Sequence, residues 1–241
     1  MSTPTVHSSA AAPKKIGLAG LLIRLILFVF FLSLPFLAAG TLNWPQGLLY
    51  LGLLAFFIGG SRLIIARKWP DLVRERVRGG ELADSKKWDR PLSSIVGLWG
   101  LLATWTVAGL NERFDWPPSI PIELQVIGSI VLVLGTLLGT WAMIVNRFFS
   151  LVVRIQTDRG HTVVTSGPYR FVRHPAYAGG VLTYLATPFL LNSLWASIPA
   201  LLTIGLIIVR TKLEDETLQV ELTGYVDYTQ QTRYRLLPGV W

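Results

Sequence analysis

The stretch VVTSGPYRFVRHPAYAGG, Val163–Gly180, is a polar interruption between two hydrophobic runs. It sets Arg170, Arg173, His174, Tyr169 and Tyr177 at the mouth of the helix that the second run predicts. A second polar cluster, RTKLEDETLQVEL at Arg210–Leu222, leaves the next run. Polar clusters at adjacent ends of two apolar helices predict one shared pocket at a membrane surface. The fold class therefore turns on whether the runs around them are membrane spans.

The composition says that they are. The chain is 51% hydrophobic and only 15% charged, against about 25% charged residues in soluble domains. A span needs about 20 apolar residues. Six runs qualify or nearly so: 18–40, 46–66, 91–110, 122–145, 176–192 and 194–210. The last two are short, with little more than Asn192 and Ser193 between them, and predict a helical hairpin in which one arm stops short or re-enters. The expected fold is an all-α, multi-span membrane bundle of about six spans. The first run resembles a signal peptide around Leu37-Ala38-Ala39-Gly40 but exceeds the usual apolar length of 7–15 residues, so it reads as a retained span.

The net charge of +8 would suit a nucleic-acid binder, but its distribution argues otherwise. Of the 22 Lys and Arg residues, only Arg113 falls outside the tail and alternate loops that would share one face. Cytoplasmic loops are rich in Lys and Arg, so this predicts both termini in the cytoplasm and no nucleic-acid partner. The basic excess also suits contact with anionic lipid. With no cysteine there are no disulfides, thiolate metal sites or cysteine nucleophile, and His7, His161 and His174 are too dispersed to predict a metal centre.

Three regions follow. Residues 1–16 are polar, small and patternless and predict a disordered cytoplasmic tail. Residues 17–120 hold the N-terminal spans, with a charged connector at 67–90 that reads as a surface helix bounded by Trp69 and Trp88. Residues 121–241 hold the core with the pocket. The loop NERFDWPPSIP, 111–121, predicts a short turn outside the membrane. Gly135 and Gly139 form a GxxxG pattern that permits close helix packing.

Within the first cluster, Gly167-Pro168 predicts a turn. Pro175 disfavours helix at His174 and suits the first turn of the next helix. That helix start offers free N–H groups to an anion, and Arg173 adds a positive fork. Gly179 and its neighbour Gly180 leave room for close approach. In the second cluster, Arg210, Glu214 and Glu221 recur at helical spacing. An Arg–Glu pair four apart adds only a few tenths of a kcal/mol, and Glu214-Asp215-Glu216 repel one another, so a wall facing a cationic ligand explains them better than local helix stability. A ligand with an anionic end and a cationic centre fits both clusters. S-adenosylmethionine has both, and NADPH, which lacks the cation, competes.

GPYRFVRHPAYAGG, a hydrophobic hairpin and RTKLEDETLQVELTGYVDY, in that order, resemble the membrane-embedded isoprenylcysteine carboxyl methyltransferase family, with phospholipid methyltransferases similar in arrangement. The resemblance covers roughly residues 122–241. It implies S-adenosylmethionine as cofactor, a cytoplasm-facing pocket open to lipid, and a lipophilic isoprenoid or lipid acceptor, with carboxyl O-methylation favoured. Phospholipid N-methylation and NADPH-dependent reduction by a related membrane fold are the alternatives. The family pattern carries over to Arg173, His174, Pro175 and Tyr177, and its acidic pair to Glu214 and Asp215, where Asp replaces the usual Glu. The expected catalytic set is Arg173, His174, Glu214 and Arg210. The expected cofactor-binding set is Tyr169, Arg173, His174, Pro175, Tyr177, Gly179, Glu214 and Asp215, with no metal ligand.

Overall fold

The computed structural model describes residues 18–70 and 85–241. The readings of a disordered tail at 1–16 and of a surface helix through 71–84 lie outside these residues. The chain divides into two compact units, 1–32 and 33–241. The first contributes, among its described residues, the opening turns of α1 (Leu18–Ala39), whose side chains from Leu25 to Phe30 are exposed and apolar.

In the second unit the helices follow the predicted runs. After the end of α1 come α2 (Pro45–Lys68), α3 (Asp89–Phe114), α4 (Ile122–Val145), α5 (Pro175–Leu190), α6 (Ser197–Glu221) and the short α7 (Tyr225–Gln231). The described residues form no strand. Helices α2, α3 and α4, with α6 and its lead-in turn from Leu194, are long and apolar enough to cross a membrane. Their outward side chains, such as Phe56, Leu134 and Leu202, are exposed, which suits lipid rather than water as solvent. The protein is an integral membrane helical bundle. Helix α5 has 16 residues, about 24 Å at 1.5 Å per residue, and falls short of a hydrocarbon core of about 30 Å. It is the short arm of the predicted hairpin.

Loops gather at two ends. At one, Asn192 Oδ1 accepts from Ile120 N (2.7 Å), and Ser193 donates to Asn111 Oδ1 (2.9 Å). Asn111 through Phe114 are the last turn of α3, so the turn expected at 111–121 starts only at Asp115, whose positive φ ends the helix. At the other end, Lys86 N donates to Val153 O (2.9 Å), and the chain 146–174 folds back on the starts of α3 and α5.

Helices α4 and α5 pack backbone to backbone. A Cβ on Gly135 would lie 2.7 Å from the carbonyl oxygen of Gly179 and 2.9 Å from Leu182 Cβ. A Cβ on Gly179 would collide with the Gly135 carbonyl and lie 2.8 Å from Gly139 N. The GxxxG pattern thus serves helix packing, and the partner that approaches Gly179 is the α4 backbone.

One irregularity shapes the bundle. Ile95–Trp99 form a π-turn inside α3, in which Gly100 N bonds Ile95 O. The insertion leaves the Val96 carbonyl to the Tyr184 hydroxyl of α5 (2.7 Å).

Candidate functional site

Pro175 is the first residue of α5 and His174 its non-helical N-cap, as the Pro rule requires. The two arms of the hairpin return the end of α6 to this helix start. Between them lies an open cleft of about 940 Å³, open solvent at its mouth included. Arg173, His174, Tyr177, Arg210 and Glu214 all line it. Further wall comes from the segments 146–154 and 161–164, from Tyr169, Ala176, Leu218 and Leu222, and from Tyr225 and Tyr228 of α7.

The three consecutive acids diverge, because neighbouring helix positions lie about 100° apart. Glu214 faces the cleft, half-buried, and accepts the Tyr177 hydroxyl at 2.5 Å. Among the described residues Tyr177 is its only hydrogen-bond partner. Glu216 is exposed and lies 3.9 Å from Lys212. Asp215 is fully buried behind the cleft. It takes Arg173 in a two-pronged pair (Nε–Oδ1 2.7 Å, Nη2–Oδ2 3.0 Å), with Arg235 Nε at 2.9 Å and Gln219 Nε2 at 2.9 Å. His174 Nε2 and the Tyr225 hydroxyl lie 3.1 and 3.0 Å from its Oδ1. An acidic wall built from all three residues is therefore corrected to a single carboxylate, Glu214. Asp215 faces the basic loop instead of the cleft.

Arg173 is correspondingly occupied. Its Nη1 donates to the carbonyls of Thr232 (2.9 Å) and Arg233 (2.7 Å). The backbone N–H groups of Arg173 and His174 donate to Tyr234 O and Arg235 O, both at 2.9 Å. The fork expected to meet a ligand anion is filled by Asp215 and the C-terminal carbonyls, and Arg173 presents only part of its side chain to the cleft. Pro175 and Gly179 are buried in the helix start and the α4 contact and do not line the cleft.

Arg210 does not pair with Glu214. Its Nε and Nη2 bind the two oxygens of Asp89 at 2.6 and 3.1 Å, and Nη2 also reaches Leu151 O at 2.8 Å. Its guanidinium lies over the Tyr177 ring at 5.3 Å, a cation–π contact, while that ring stacks beside His174 at 5.8 Å. Glu221 turns away from Arg210 and Glu214 and takes Lys86 Nζ at 2.6 Å in an exposed pair. The α6 positions that share the cleft are Arg210, Glu214 and Leu218, a strict four-residue repeat.

Tyr169 lies on a turn of 3₁₀ helix, Gly167–Arg170. Asn146 Nδ2 donates to its hydroxyl at 3.2 Å, and its carbonyl takes the Tyr228 hydroxyl at 2.7 Å. Burial pushes the Tyr169 hydroxyl above its ordinary range and that of Tyr228 up to about 12, so both stay protonated donors. On the far wall, burial first and then the positive Arg154 and Arg159 lower His161 to about 4. Its Nδ1 accepts from Gln156 N at 3.3 Å, so the ring is neutral with the proton on Nε2.

Sequence reasoning missed Asp89 and Asn146. An Asp at a helix start looks like any favourable end charge, and an Asn after a helix looks like any cap. His161 appeared only as a dispersed histidine.

The site tolerates S-adenosylmethionine chemically. One carboxylate without a guanidinium partner suits a sulfonium, tyrosine faces suit an aromatic ring, and the Arg210 Nη1 edge, without a partner among the described residues, suits a carboxylate. Those residues hold no group of three or more metal-ligating side chains.

Comparison with known proteins is consistent with this geometry. Residues 127–220 match the model of the isoprenylcysteine carboxyl methyltransferase (ICMT) family. The cobalt-zinc-cadmium resistance protein CzcN of Cupriavidus metallidurans is 26% identical over 145 residues, 57% of this chain and 61% of that protein. The protein-S-isoprenylcysteine O-methyltransferase of Homo sapiens is 29% identical over 134 residues, 54% of this chain and 47% of that protein. The chain thus spans less than two thirds of either relative. A solved structure of the eukaryotic intramembrane Ras methyltransferase ICMT superposes with a TM-score of 0.51 at 19% identity, covering 91% of this chain and 86% of that one. Residues 127–220 therefore resemble the isoprenylcysteine carboxyl methyltransferase family in sequence, and most of the chain shares the fold of that solved structure.

Proposed function

We propose that the chain is an S-adenosylmethionine-dependent methyltransferase acting on a lipophilic acceptor, with carboxyl O-methylation as its reaction and its cleft facing the cytoplasm. The observation that carries this reading is the convergence of the RHP loop and the α6 stripe on one cleft, with Glu214 as its one acidic wall residue. Residues 121–241 form most of the core, with Asp89 reaching in from the N-terminal half.

S-adenosylmethionine supplies, when bound, a methyl group on a sulfonium centre. Glu214, set by the Tyr177 hydroxyl, holds the cationic end, and Tyr169, Tyr177 and Tyr225 provide aromatic walls. Asp215, behind the cleft, fixes the loop through Arg173 and His174, which form part of the cleft wall. Arg210 offers its free edge to the acceptor's carboxylate. A carboxylate is already ionised near neutral pH, so the site needs no general base, and alignment of the reactants supplies most of the acceleration. This suits a cleft whose Glu214 already accepts a proton donor.

The test is transfer of methyl label from S-adenosylmethionine into a lipid extract by membranes containing the protein. Base-labile label, the mark of an ester, is expected. No methyl label, with hydride delivered from labelled NADPH, would replace this reading by a reductase. Glu214→Gln should weaken donor binding in calorimetry about tenfold or more, since a bond to a charged group contributes about 1.5–3 kcal/mol. Unchanged binding would remove Glu214 from the site.

A further inference from the structure

The family match begins at residue 127, yet the cleft is tied to a residue well before it. Asp89, at the start of α3, is fully buried, and its carboxylate accepts three hydrogen bonds from the cleft walls. Two come from Arg210 Nε and Nη2, at 2.6 and 3.1 Å. One comes from Val153 N at 2.7 Å. Its own N–H donates to Lys86 O at 3.0 Å and closes the turn that precedes α3. Lys86 N in turn binds Val153 O at 2.9 Å, so the 85–89 turn and the 151–153 wall are joined on both sides of the carboxylate.

This arrangement does more than neutralise a buried charge. A guanidinium has five N–H donors in a rigid plane. Asp89 and Leu151 O engage its Nε and Nη2 side. The opposite Nη1 group has no partner among the described residues, and Arg210 lines the cleft. The ring of Tyr177 lies against the guanidinium at 5.3 Å and limits its tilt. Two-point pairing fixes the orientation of the plane as well as its position.

Building on the methyltransferase reading, we infer that Asp89 is a positioning residue for acceptor recognition: it holds Arg210 so that the Nη1 edge meets the acceptor's carboxylate. Asp89 touches neither reactant and acts through Arg210. The N-terminal half of the chain thereby sets the selectivity of a site whose other walls lie in the C-terminal half.

The experiment uses the purified full chain in detergent and two probes, N-acetyl-S-farnesylcysteine and its carboxamide. Binding of each is measured alongside binding of S-adenosylmethionine. The wild type is expected to prefer the acid over the amide by about tenfold or more, the worth of a charge-assisted bond. Arg210→Gln should abolish that preference and sets the floor. Asp89→Asn should fall to the same floor, with amide affinity and donor affinity within twofold of wild type. A wild-type preference in Asp89→Asn would overturn the inference, as would equal losses for acid, amide and donor, which mark a purely structural role. If Asp89→Asn does not fold, the double variant Asp89→Asn/Arg210→Gln, which removes both buried charges, decides. Matching Arg210→Gln alone supports the inference, and a further loss of amide or donor affinity overturns it. Absence of methyl transfer by the wild type would end the methyltransferase reading, whereas the acid-over-amide ratio tests Asp89 whether or not methyl transfer occurs.

Discussion

Three acids in a row, Glu214, Asp215 and Glu216, meet three environments: a cleft, a buried basic hub and open surface. Their side chains differ little, so helix rotation alone assigns their roles. The same dependence on surroundings governs His161, whose ring is held neutral by burial and two neighbouring arginines. Its protonation falls from the ordinary value near 6.5 to about 4. Between those values the unfolded chain takes up a proton that the folded chain refuses, so stability falls as pH drops from 6.5 towards 4. Below 4 both states are protonated and this group costs nothing further. Thermal unfolding midpoints in detergent should therefore decline across that window. His161→Gln, which keeps an acceptor but cannot titrate, should flatten the decline, and an unchanged slope would show that other groups cause it.

Among elements, the α4–α5 pair shows what a glycine pattern can specify. Gly135 and Gly179 face each other across backbones too close for a Cβ. Gly179→Ala should therefore destabilise the protein by about 1–3 kcal/mol through overpacking. Gly180, one residue on, is open: a Cβ there would meet only Ile207 Cδ1, at 3.9 Å. Gly180→Ala should be neutral or stabilising by up to about 1 kcal/mol, from helix propensity. Melting of the two variants side by side checks both, and equal effects would contradict the packing account. The contact was half legible: GxxxG on α4 announced close packing, while the Gly179-Gly180 pair on α5 read as space for a ligand. Spacing along one helix reports its own small face, but the helix that covers that face is chosen by the hairpin. In the same way, a helix start at Pro175 followed from local stereochemistry, whereas the burial of Arg173 needed a C-terminal segment that returns 60 residues later.

For the whole molecule, charge asymmetry and the two loop clusters make one topological prediction. The turn around Asn43 follows α1, and the segment around Asp158 follows α4, so the two lie at opposite ends of a bundle whose passes alternate. Both residues are exposed, and the chain has no cysteine to interfere. With the basic loops in the cytoplasm, Asp158→Cys should react with a membrane-impermeant maleimide only in inside-out vesicles, and Asn43→Cys only in right-side-out ones. The reverse pattern would invert the topology, and labelling of both from one side would contradict the alternation of passes.

Apolar runs, a lopsided distribution of Lys and Arg, and two ordered polar motifs determined the helical membrane class, the hairpin and the location of a pocket. Each is carried by contiguous residues whose solvent preference or backbone stereochemistry acts locally. Tertiary structure alone decided which charges are available. Arg173 and Asp215 lie 42 residues apart, and Asp89 and Arg210 lie 121 apart. In a low-dielectric interior a charge is silenced by whichever opposite charge the fold delivers to it, and no spacing along the chain encodes that delivery.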